Sequence, residues 1–159
     1  MESEDRYLKT AVHLAVQSVT EGGGPFAAVI VKNGKIIAQA RNKVIQSNDP
    51  SAHAEVEAIR LASQQLQTPH LEGCVLYSSC EPCPMCLATS LWAHIDQIVY
   101  AADHHEAIRA GFDDTEIAKK LYGQAKPVNI NQRFLRHSSV DNAAAPFDAW
   151  LAYAERNEY

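Results

Sequence analysis

His53-Ala54-Glu55 and, further on, Pro82-Cys83-Pro84-Met85-Cys86 place one imidazole, two thiols and an uncommitted carboxylate in a single chain. An imidazole and two thiols make three zinc ligands. A structural zinc site is closed by four protein ligands, whereas a hydrolytic one leaves the fourth tetrahedral position to water. Zinc lowers the pKa of that water from ~16 to roughly 7, so a nucleophile is available at neutral pH. His53, Cys83 and Cys86 are therefore expected to hold one Zn2+ per chain, with Glu55 as the proton shuttle.

A Cys-rich zinc knuckle and a thioredoxin-like dithiol are the alternatives, and neither accounts for Glu55. Cys80 forms a second C-x-x-C with Cys83 and is expected to pack beside the site without ligating; Cys74, on an apolar strand, is expected in the core. Ala54, Ala58, Ile59, Ala62 and Leu66 recur at helical spacing, which predicts a helix over 54–66, with Ser51 and Glu55 as an approximate capping pair. A second helix is predicted from Pro84 through Leu87, Leu91 and Trp92. The metal would then lie between two helix N-termini, where the dipoles favour thiolate. His13, His70, His94, His104, His105 and His137 lack comparable company and are expected at the surface or on helices, with the adjacent His104 and His105 and the cluster Arg133, Arg136 and His137 solvated.

The chain has 159 residues, 47% of them hydrophobic and 21% charged, enough for one domain, 1–159, with a buried core. An acidic start, Met1-Glu2-Ser3-Glu4-Asp5, and the absence of a long apolar run point to no leader and no membrane, and the cysteine usage to a reducing, cytoplasmic setting. A net charge of -5 argues against a nucleic-acid partner. Leu8, Val12, Ala15, Val16 and Val19 predict a helix over 5–20, stopped by Gly22-Gly23-Gly24. Asn33-Gly34 between apolar runs 26–32 and 35–40 predicts a hairpin. Strands 74–78 and 97–102, each reached through a helix, predict parallel crossovers, hence a mixed sheet with helices on both faces, an α/β class three-layer α/β/α sandwich. Helices are also expected over 114–121 and 146–157, the latter with Phe147, Trp150, Leu151 and Ala154 on one stripe.

The H-x-E and P-C-x-x-C pair matches the signature of zinc deaminases, and the whole chain resembles the cytidine-deaminase-fold superfamily, within it the small bacterial guanine deaminases. The narrower resemblance rests on Gly23-Gly24-Pro25-Phe26, Asn42, Ser47-Asn48-Asp49-Pro50, Ser79 to Cys86, Ala110-Gly111-Phe112-Asp113-Asp114 and the closing Glu158-Tyr159. It implies a cytidine deaminase-like fold and a homodimer in which segments from about 140 to 159 are exchanged, a C-terminal domain swap. It implies further that Asn42 and the Ala54 backbone grip the edges of a purine base, that Phe26 stacks on it, that Asp114 reads it and moves protons, and that Tyr159 closes the site. The implied reaction is deamination of guanine at C2 by water activated at zinc. Guanosine, cytosine or cytidine, and adenosine in tRNA are the rival substrates within the same fold, and a noncatalytic zinc module is the rival of another class.

Overall fold

The computed structural model describes residues 2–127 and 129–159. Helix α1 (Glu2–Thr20) buries Leu8, Ala11, Val12, Ala15 and Val19 and stops where Gly22 turns left-handed at φ 87°. Strands β1 (Ala27–Lys32) and β2 (Lys35–Arg41) form the hairpin; Asn33 and Gly34 both have positive φ, 50° and 73°, as a two-residue type I′ turn requires. A short helix α2 (Val44–Ser47) leads to α3 (Ala54–Leu66), then β3 (Cys74–Cys80), α4 (Pro84–Trp92) and β4 (Gln97–Ala102). Helices α5 (His104–Arg109) and α6 (Thr115–Tyr122), strand β5 (Leu135–His137) and helix α7 (Ala145–Ala152) complete the chain.

The strands form one sheet in the order β2-β1-β3-β4-β5. β1 pairs antiparallel with β2 and β3, whereas β3, β4 and β5 run parallel. Period-two alternation divides the side chains of the central strands between two layers. Ala28, Ile30, Leu76 and Ile98 face the cluster built with α3 and α4, while Val29, Val31, Tyr77 and Val99 face α1. Both faces of the sheet are thereby covered, which is why β1 is an almost continuous apolar run. A third cluster lies at one end of the sheet, where Cys80 and Ala102 meet Ala107, Ala110, Phe147 and Trp150. Among the described residues, no helix is long and apolar enough to cross a membrane.

Several elements differ from the sequence reading. Ser51 does not cap α3: its N–H and hydroxyl both donate to Asp49 Oδ1, at 2.8 and 2.7 Å, in a local turn, and His53 is the N-cap residue. Helix α7 ends at Ala152 instead of Asn157, because the Arg156 guanidinium folds back and donates to the carbonyls of Leu151 (3.3 Å) and Tyr153 (3.1 Å). Arg136, read as a solvated base, lies on β5 and makes two 3.0 Å hydrogen bonds to the Glu4 carboxylate.

Candidate active site

The N-termini of α3 and α4 converge at the end of β3, and the residue at each N-cap is a candidate metal ligand: His53 for α3 and Cys83 for α4. Neither side chain makes the capping hydrogen bond its position invites. Both turn instead toward Cys86 in the first turn of α4. His53 Nδ1 is 3.5 Å from Cys83 Sγ and 3.6 Å from Cys86 Sγ. A tetrahedral zinc with ordinary Zn–N and Zn–S bonds separates its nitrogen and sulfur ligands by about 3.6 Å, so the three side chains fit the ion. Cys80 is not in this group. Its thiol is buried beneath the site and points toward the carbonyl of Asp103, 3.8 Å away.

Electrostatics follow from crowding sulfur and carboxylate in a buried place. The Cys83 thiol is pulled down to about 4, first by the hydrogen bond from Cys86 and, against the cost of burial, by His53. Cys86, which shares that proton, is pushed up by the same bond and by burial. Glu55 is only 6% exposed, and burial, followed by the charge on Cys83, pushes its carboxyl upward. Ser78 Oγ lies 3.1 Å from Glu55 Oε1 and 2.7 Å from the carbonyl of Cys80. Its one proton can serve either acceptor. Ser78 can therefore donate to a charged Glu55, or donate to Cys80 and accept from a protonated one.

The cavity above these groups has a volume of about 250 Å3 and is lined by Phe26, Asn42, His53, Glu55, Cys83, Phe112, Asp114 and Tyr159 among others. Asn42 is 2% exposed; its Oδ1 accepts the N–H of Val44 at 3.1 Å, which leaves its NH2 as the group offered to the cavity. Phe26 forms a wall, edge-on to Phe112 (centroids 5.0 Å apart) and to Phe147 (5.6 Å). Asp114 sits at the N-cap of α6, but its side chain makes no capping hydrogen bond, and the neighbouring Asp113 Oδ1 accepts from Thr115 N at 2.9 Å. The Asp114 carboxylate is left for the cavity, and burial, then Cys83, pushes its pKa upward. Ala54, expected to offer its backbone to the ligand, is fully buried in the core and absent from the cavity wall.

Tyr159 lies over the cavity with its ring 5.2 Å from that of Phe112 and 6.3 Å from that of Trp150. Its hydroxyl occupies the space that a Cβ on residue 24 would need, so Gly24 is required by close approach. His104, expected to be solvated, also lines the cavity. Glu81 holds it, accepting from the His104 backbone N–H at 3.0 Å and lying 3.1 Å from its Nδ1, while Lys126 pairs with the other Glu81 oxygen at 3.2 Å. Sequence adjacency of His104 and His105 concealed this, since the partner is 23 residues away.

Residues 1–102 match the family described as the cytidine and deoxycytidylate deaminase zinc-binding region. A guanine deaminase from Bacillus subtilis is 46% identical over 158 residues, 99% of each chain. The X-ray structure of guanine deaminase from Bacillus subtilis superposes with a TM-score of 0.72 at 45% identity, covering 97% of each chain. A tRNA-specific adenosine deaminase from Aquifex aeolicus is 40% identical over 99 residues, 62% of this chain and 66% of that one. Ninety-nine aligned residues cannot span a cavity whose wall runs from Phe26 to Tyr159.

Proposed function

The chain belongs to the cytidine and deoxycytidylate deaminase zinc-binding family and, within it, stands with the guanine deaminases along its full length; on that premise we propose that it hydrolyses guanine to xanthine and ammonia. The observation that carries the substrate is the source of the cavity wall. His53, Glu55, Cys83 and Cys86 lie within the family's matched residues, but Phe112, Asp114 and Tyr159 lie beyond residue 102, in the stretch shared with the guanine deaminase. A cavity of about 250 Å3 is below the roughly 300–1,000 Å3 typical of drug-sized ligands and suits a free base.

His53, Cys83 and Cys86 would hold zinc, which when bound supplies a water activated near pH 7. Attack at C2 breaks the aromaticity of the ring, and protonating the neighbouring ring nitrogen lowers that cost. Glu55 takes the proton from the attacking water, passes it to that nitrogen, and later delivers one to the leaving amine. Burial pushes its carboxyl upward, which eases the protonated state that the transfer passes through, and Ser78 serves both of its states. Asp114 accepts from the N1–H of guanine, on the edge where cytosine and adenine present an unprotonated ring nitrogen that accepts instead. The Asn42 NH2 grips the remaining polar edge, and Phe26 stacks on the ring. Asp114→Asn should lower guanine turnover by about 10²-fold while leaving zinc content and melting temperature in place. An unchanged rate would remove the support for guanine.

The same reading makes the enzyme a cytoplasmic homodimer of single-domain chains, without nucleic-acid or membrane partners, in which segments from about residue 140 are exchanged. Leu91 and Trp92 at the end of α4 are 57% and 83% exposed in the isolated chain, which supports a covered surface in the assembly. The packing of Phe147, Trp150 and Tyr159 is equally available to a neighbour's tail. Removing residues 153–159 should lower guanine turnover about tenfold or more with zinc retained, and Gly24→Ala, which displaces the Tyr159 hydroxyl, should act in the same direction. Mixing Glu55→Gln chains with tail-deleted chains under subunit exchange should restore activity, because an exchanged tail assembles one complete site from two inactive parents. Mixed dimers without activity would show that each tail serves its own subunit.

A further inference from the structure

Both helices that begin at the zinc ligands also end together. α3 finishes at Leu66 and α4 at Trp92, and the loop after the first is stitched to the turn after the second. Leu71 N donates to Ala93 O at 2.7 Å, Asp96 N to Cys74 O at 3.0 Å, and Gly73 N to Asp96 Oδ1 at 2.9 Å. Three side chains of coordinating chemistry project from this seam. His94 Nδ1 is 3.0 Å from Glu72 Oε1, and the ring centroids of His70 and His94 are 4.8 Å apart. One donor atom from each of the three lies within 4.8 Å of those of the other two.

His94 also has a left-handed backbone, φ 58°, at the end of α4, where glycine or asparagine is the usual occupant. An imidazole is thus held at a place where a side chain is conformationally disfavoured, by bonds from His94 N to Leu91 O (3.1 Å) and from Ile95 N to Ser90 O (3.0 Å). The carbonyl end of α4 lies at this seam, and such an end favours a cation. His70, Glu72 and His94 are absent from the cavity wall. With nine residues, α4 alone separates His94 from the zinc trio by about 14 Å.

We infer that His70, Glu72 and His94 form a second metal site, for a zinc-like divalent transition ion, that clamps the far ends of α3 and α4. Two imidazoles and one carboxylate suit Zn2+, Ni2+ or Cu2+, whereas Mg2+ and Ca2+ prefer all-oxygen shells. Donors around a tetrahedral ion of this kind stand about 3.3–3.5 Å apart. The His94–Glu72 pair is already closer than that, and the exposed His70 ring needs a shift of only about 1 Å, within ordinary side-chain freedom. Water completes the shell.

The test is calorimetric titration of Zn2+ into the full-length protein with its catalytic zinc in place, with Ni2+ as a second probe. Wild type should bind one further ion per chain, and its melting temperature should rise as zinc is added. His94→Asn, which keeps a residue that tolerates positive φ, and His70→Asn should each weaken that binding about tenfold or more, and the double variant should abolish it. Unchanged guanine turnover at trace zinc shows that the variants are folded. No further zinc binding by wild type, or wild-type binding by the double variant, would overturn the site.

Discussion

Glu55→Gln is expected to keep one zinc per chain and to lose about 10²–10⁴-fold in guanine turnover, the usual worth of a positioned acid–base group. The substitution preserves shape and a hydrogen-bonding partner for Ser78 but removes the carboxylate that carries a proton between water, ring and amine. Glu55 lies in the first turn of α3, 6% exposed, with its N-cap neighbour His53 turned to the sulfurs. Metal analysis and stopped-time ammonia release on the same sample separate the two roles. A variant that loses zinc would make Glu55 a ligand, and one that keeps full turnover would leave the proton path without a carrier.

Stripping zinc with a chelator, or replacing His53 by alanine, should abolish turnover altogether and lower the melting temperature by about 10 °C, since an ion held far above its dissociation constant contributes several kcal/mol. Without the ion, a half-buried Cys83 thiolate remains close to Glu55, whose carboxyl is pushed upward by burial and then by that charge. Readdition of zinc should restore both activity and melting temperature to the chelated wild type but not to His53→Ala. Turnover that survives complete metal removal would contradict a hydrolytic metal site.

The parts of the fold that read most clearly in the sequence are those whose burial is two-sided or strictly periodic. The central strands are apolar because helices cover both faces, and Asn33-Gly34 declares its turn because both residues must adopt positive φ. α5 was not visible: six residues rich in charge bury only Ala107, so no stripe marks them. β5 is a three-residue edge strand with no run of its own, held by its pairing to β4. The end of α7 was misplaced because Ala154 continues the apolar spacing, while the turn is made by Arg156 reaching backward.

The site shows the same division. The metal trio and Glu55 are legible because zinc imposes residue types and spacing, and the structure brings His53, Cys83 and Cys86 together on two helix starts. Asp114 reads as a helix-start residue, and only the structure shows that its side chain leaves α6 uncapped and lines the cavity instead. His104 carried no local signal, since Glu81 reaches it across the gap between β3 and α5.

The most direct measurement is kcat/KM for ammonia release from guanine, guanosine, adenine, cytosine, cytidine and adenosine in a tRNA anticodon stem-loop, with xanthine identified as the product from guanine. Guanine should exceed every other substrate by about 10²-fold or more, because a site built to pair with its ring N–H and carbonyl leaves buried polar groups unmet by adenine, cytosine and their nucleosides, while the ribose of guanosine overfills a cavity of about 250 Å3. Efficient deamination of adenosine in RNA together with inert guanine would contradict the reading and return the chain to the RNA-acting branch of its family.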